Sequence, residues 1–243
     1  MTIEATNRRA ARDRSLSIAA AVLLPAIVLA GFARTYYLKG LFHTAPLHST
    51  LVHLHGVLMT AWVALFITQI WLISARRVRT HQQLGVLGAT LAAAVVAVGL
   101  CTAVAGAAHG RAPKGVPPLV FLVVPTIDMV VFMILVSVAL YYRRRPEIHK
   151  RLMVLTAFNF LPPAVARIPL AFIQAAGLPA IFGIADGLLL LAVAYDTWRH
   201  RRLHPAMALG ALLIILSLPL RIALGGTAWW LRLATWATSR ILV

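Results

Sequence analysis

Three histidines, His48, His53 and His55, open the stretch "HSTLVHLHGVLMTAW", which otherwise has the composition of a membrane-crossing helix. An imidazole ligates metals or haem iron and carries protons, and inside a bilayer a polar group of this kind calls for a partner. Helix geometry sorts the three. Residues two apart are separated by about 200° around the axis, so His53 and His55 cannot share a face. His48, His55, Trp62 and Gln69 recur every seven residues and form one slowly drifting stripe of the sort that faces a neighbouring helix. His55 is therefore the first candidate for a cofactor or metal ligand, and His53, on the side of Thr60, the second.

Other apolar runs carry polar groups at comparable depth: Asp128, Arg167, Asp186 and Arg221, with Asn159 nearer the middle and His109 just past the end of its run. Prolines accompany them, with Pro125 before Asp128, Pro162, Pro163 and Pro169 around Arg167, and Pro219 before Arg221. Proline removes a backbone hydrogen bond and frees a carbonyl, which membranes tolerate where the helix packs on protein or lines a wet cavity. Each unpaired charge costs about 2.5–3.5 kcal/mol on the insertion scale, so two acids and two bases left apart cost on the order of 10 kcal/mol. The expectation is a polar cavity in the outer-leaflet half of the membrane, where these charges meet His55. Arg34, near a helix end, is expected to snorkel. His81, His149, His200 and His204 stand beside arginines and are expected to be solvated anchors, although His149, Thr156, Phe160, Pro163 and Arg167 fall on one helical stripe.

Composition says what must position these residues. Of the 243 residues, 61% are hydrophobic and 12% charged, against about 45–50% and about 25% in soluble domains, and mean hydropathy is +0.86. The fold class predicted is all-α: a polytopic integral membrane bundle of seven transmembrane helices, near 16–37, 48–74, 82–106, 117–142, 149–174, 179–198 and 205–224. A basic segment 1–15 precedes it, and 225–243 is predicted as a short amphipathic interfacial helix carrying Trp229, Arg232, Trp236 and Arg240. The first apolar run, about 20 residues long, exceeds the 7–15 of a cleaved signal and reads as a retained helix. The lone Cys101 excludes an intrachain disulfide.

A net charge of +17 would suit nucleic acid. The placement of the charge argues against it, because 15 of the 23 basic residues lie before the first span and after the second, fourth and sixth. With seven spans all of these fall on one side, and the positive-inside rule then puts the N-terminus in the cytoplasm and the C-terminus outside. The breaks "RRVRTHQQLG", "RRRPEIHKRLM" and "RHRRLHPAM" each run arginines into a histidine that opens the next span.

"HLHG" on one span and "RRVRTHQQLG" opening the next resemble uncharacterised bacterial multi-helix membrane proteins and, more loosely, membrane proteins of cytochrome c oxidase assembly. In these a histidine-bearing helix is followed by one beginning His-Arg-x-x-Gly; Gln82 stands here in place of that arginine. The resemblance implies a small helical fold in the bacterial inner (cytoplasmic) membrane, associated with redox or oxidase assembly. Two functions fit the polar set. One is a b-type haem or quinone-linked redox protein, with His55 as ligand, His109 as the nearest second histidine, and Arg167 and Arg221 pairing with propionates. A haem bridging His55 and His81 is excluded, because the 26 residues between them cross nearly the whole bilayer. The other is a carrier or proton-coupled transporter of a small anion or lipid headgroup, held by the same arginines with His55 or Asp128 titrating. A hydrolytic metal centre would require His55, Asp128 and Asp186 to converge. Partners expected are the lipid bilayer, a small-molecule or haem ligand and a second membrane protein.

Overall fold

The computed structural model describes residues 3–44, 47 and 49–241, with side chains from residue 16 onward. His48 and the side chains of the N-terminal arginines lie outside the described residues. All regular structure described is helical. Helix α1 (Ile3–Phe32) closes in a π-helical turn (Ala33–Tyr37), and α2 (Thr50–Ser74) and α3 (Val78–Ala108) form a hairpin. A short α4 (Pro118–Phe121) leads into α5 (Val123–Tyr141), with α6 (Pro146–Asn159), α7 (Leu161–Val165) and α8 (Ala171–Ala176) following. The chain ends with α9 (Leu178–His200), α10 (Pro205–Gly225) and α11 (Ala228–Ser239).

Among the described residues six stretches are long and apolar enough to cross a membrane: Leu16–Tyr37, α2, α3, Pro118–Tyr141, α9 and α10. This is an integral membrane helix bundle. Large apolar side chains such as Val22, Leu54, Trp71, Leu87, Leu191 and Ile222 point outward, as lipid-facing residues do. Helix α5 sits at the centre: half of its spanning window is buried, and Phe132, Leu135 and Ala139 are sealed among α3, α6 and α10.

The fifth predicted span, 149–174, is not a continuous helix. Pro162 and Pro163 have no N–H to offer the carbonyls of Phe158 and Asn159, so α6 ends at Asn159 and a new turn starts at Leu161. At 14 residues α6 is about 21 Å long, short of the about 30 Å hydrocarbon thickness. The pieces nonetheless run end to end. Residue 149 meets Ala139 near the end of α5, Asn159 meets Asp128 further up it, and Ala164 meets Gly31 of α1. The breaks after α2, α5 and α9 lie at one end of the bundle, which the His81–His149 and Arg151–Asp196 contacts tie together.

Gly31 marks the tightest helix crossing. A β-carbon there would meet the carbonyl oxygen of Ala164, with the carbonyl carbon 2.8 Å away and Cα 2.9 Å away, all of it backbone that cannot rotate aside. Gly31→Ala is expected to lower the thermal unfolding midpoint in detergent, at a cost of about 1–3 kcal/mol. An unchanged midpoint would show that α1 and α7 do not pack this closely.

The predicted terminal helix has two faces. Trp230, Ala234 and Thr238 are buried, and Trp230 Nε1 donates to Leu119 O at 2.8 Å. Trp229, Arg232, Trp236 and Arg240 form the exposed face.

Candidate functional site

Four of the predicted residues come together in one place. Asp128 of α5 and Arg221 of α10 form an ion pair, Nη2 to Oδ1 2.7 Å, with side chains 7% and 4% exposed. Asn159 Nδ2 donates to Asp128 O at 2.9 Å, so the last residue of α6 is tied to α5. Arg221 Nη2 also donates to Ser217 Oγ at 2.9 Å, and its guanidinium lies over the Phe182 ring, 5.3 Å from the centroid. Asp186 of α9 joins these residues in lining a cavity of about 10 Å³. That is about the volume one water requires.

Four other predicted residues stand elsewhere. Arg167 is exposed: the α7 kink turns it back so that Nη1 donates to Pro163 O at 2.8 Å while the guanidinium stacks on Phe32, 4.7 Å from the centroid. His53 is exposed and lies against Tyr36, ring centres 5.8 Å apart. His109 is an exposed residue at the end of α3, its Nδ1 bonded to Ala105 O at 2.7 Å. His55 is half-buried on an inward stripe, as the heptad spacing implied. Trp62 on that stripe packs edge-on to Phe132 at 5.0 Å, and Gln69 reaches His81 O at 3.2 Å. No three His, Cys, Asp or Glu side chains converge among the described residues. The His55, Asp128 and Asp186 metal centre does not assemble. Nor do Arg167 and Arg221 form an anion clamp, and Arg221 is already neutralised by Asp128.

A second polar layer, at the arginine-rich end, escaped the sequence reading. Arg151 is buried with 2% exposure, and its Nε donates to Asp196 Oδ2 at 2.8 Å. Its Nη1 bonds both Glu147 O, at 2.9 Å, and Glu147 Oε2, at 2.8 Å. His200 Nδ1 lies 3.2 Å from Asp196 Oδ1. By helical rise this layer is about 12 Å along α6 and about 15 Å along α9 from the Asp128 layer. The signals available were Glu147, Lys150 and Arg151 at helical spacing, Asp196 four residues before His200, and the scarcity of acids. With only six Asp and Glu in the chain, each is expected to hold a base.

Beside this layer His81 of α3 faces His149 of α6, ring centres 6.3 Å apart and planes at 82°. Both are half-buried. His149 Nδ1 bonds the Ala139 carbonyl at 2.8 Å, which makes Nδ1 the protonated nitrogen and leaves Nε2 a lone pair. His81 Nδ1 is buried without a partner.

Partial burial pushes the Glu147 carboxyl up, but hydrogen bonds from Arg151 and Lys150 outweigh it and hold the group at about 2 instead of 4.5. His204, which accepts from Ala206 N at 3.2 Å to cap α10, is held below the usual 6.5 by burial and by Arg151. Both groups are more acidic in the fold than in the unfolded chain, so the stability they contribute is present above their ordinary values. It is lost on acidification, from about pH 6.5 downward for His204 and from about pH 4.5 towards 2 for Glu147. Melting in detergent across this range should show Glu147→Gln flattening the lower step. An unaltered profile would mean that Glu147 is not bonded.

Compared with the models of known protein families, with curated proteins and with solved structures, the chain shows no match.

Proposed function

We propose that this chain is a bacterial inner-membrane redox protein that holds a b-type haem between His81 and His149. It crosses the bilayer seven times, with α6 and α7 as a broken fifth crossing, the N-terminus and arginine-rich turns in the cytoplasm, and α11 on the outer surface. The observation that carries the reading is the facing pair of imidazoles from two helices. Two imidazoles on opposite sides of one metal, at bonds of about 2.0–2.1 Å, have ring centres roughly 6 Å apart, close to the spacing of this pair.

The donor set narrows the occupant. Zinc takes three or four protein ligands, and only two imidazoles face each other here. Haem iron, with four positions filled by its macrocycle, asks the protein for two or fewer. The Nδ1–H of His149 on Ala139 O is the outer hydrogen bond that orients ligating histidines, and it leaves Nε2 as the ligating nitrogen. Gln69 fixes the start of α3 through His81 O, and Arg76, Arg77, Arg79 and Arg143–Arg145 at this end supply cations for propionates. A haem bound there supplies one-electron chemistry. His55 is not a ligand in this arrangement.

The test is the absorbance of detergent-purified protein, oxidised and dithionite-reduced, after supplying hemin. A Soret band with sharpened reduced α and β bands is expected. It should be lost or strongly weakened in His81→Ala and His149→Ala and retained in His55→Ala. Absence of hemin binding by the folded wild type, or loss with His55→Ala alone, would overturn the assignment.

A further inference from the structure

The cavity between Asp128, Asn159, Asp186 and Arg221 lies apart from the histidine pair, and four of its buried atoms have no aligned hydrogen-bond partner: Asp128 Oδ1, Asn159 Oδ1, Arg221 Nε and Arg221 Nη1. Asp128 Oδ1 has Arg221 Nη2 2.7 Å away as its charge partner. Two of the four atoms are donors and two are acceptors. A water molecule has two O–H donors and two lone pairs, and a buried one typically makes two to four hydrogen bonds. The cavity volume of about 10 Å³ admits one such molecule and excludes a quinone ring, a lipid headgroup or a phosphate.

We infer that this cavity is a one-water, one-proton site, in which a water held by Arg221, Asn159 and Asp128 delivers a proton to the Asp186 carboxylate. The charge count selects Asp186. Arg221 contacts Asp128 at 2.7 Å and reaches Asp186 only through space, which leaves Asp186 as the carboxylate on the wall with no contact ion pair among the described residues. The step is a transfer from hydronium to carboxylate, giving water and a neutral carboxylic acid, and it is reversed when the proton leaves. The elements packed on α9 bring few other charges. Arg221 comes from α10, whereas α1 from Leu16 onward, α7 and α8 contain no titratable residue, and the ionisable residues of α6 lie in its first two turns, with the Arg151 layer. Asp128 faces the cavity from α5.

Infrared difference spectroscopy of the purified protein between about pH 5 and 8 reads the site directly through the carbonyl stretch of a protonated carboxyl. One such band should appear on acidification, disappear in Asp186→Asn and persist in Arg167→Gln, whose guanidinium lies over Phe32 outside the cavity. Asp186→Glu should move the band without abolishing it, a comparison that stands even if Asp186→Asn does not purify. The assignment rests on neither haem nor the histidine pair, so hemin-free protein suffices. No band at any pH, or a band unaffected by both Asp186 variants, would overturn it.

Discussion

Arg151→Met should be among the most damaging single substitutions in this protein, costing about 3–5 kcal/mol, because it leaves a buried carboxylate without its main partner. Asp196 is 2% exposed at its side chain, too buried for bulk solvent to take the guanidinium's place. Arg151 joins the first turns of α6 to the last turns of α9, where His200 also lies against Asp196. Removing both partners is a different matter. Replacing a whole buried pair by apolar residues of similar volume is often neutral or stabilising. Arg151→Met with Asp196→Leu should therefore recover much of the loss. Chemical unfolding in detergent would decide, and simple additivity of the two losses would show that the residues do not meet.

The second large effect belongs to Asp128 and Arg221. Removing either charge strands the other among Phe182, Phe158 and Ile214, at a cost of about 3–5 kcal/mol. The double-mutant cycle between Asp128→Asn and Arg221→Gln should show a coupling of about 0.5–3 kcal/mol. Arg167→Gln should add to Asp128→Asn within about 0.3–0.5 kcal/mol, because Arg167 is turned out over Phe32. Strong coupling of Arg167 to Asp128, with none from Arg221, would mean that α7 does not kink as described.

The cluster of Asp128, Asn159, Asp186 and Arg221 was legible because each is an isolated polar residue in an apolar run. Their depths can be compared by counting helical rise, and hydrocarbon forces such groups to find one another. Arg167 defeated the same counting because depth says nothing of direction. Pro162 and Pro163 signal a break, but the angle at which the chain resumes depends on Gly31 accepting Ala164 against it. The heptad stripe placed His55, Trp62 and Gln69 inward correctly, since a helix face depends only on local periodicity. What lies opposite a face depends on which helices pair. His81 and His149 each look like a headgroup anchor beside arginines, and only the packing of α3 and α6 on α5 turns them towards each other. Arg151 was masked in the same way, as one more base in an arginine-rich break.

Electron paramagnetic resonance of the ferric, hemin-loaded protein tests the histidine assignment most directly, because it reports both the number of axial imidazoles and their mutual orientation. Two imidazoles with planes at 82° should give a low-spin signal of the strongly anisotropic kind that near-perpendicular ligand planes produce. It should convert to high-spin in His149→Ala and return when free imidazole is added. A high-spin signal in the wild type, or a low-spin signal that survives loss of both His81 and His149, would contradict the account.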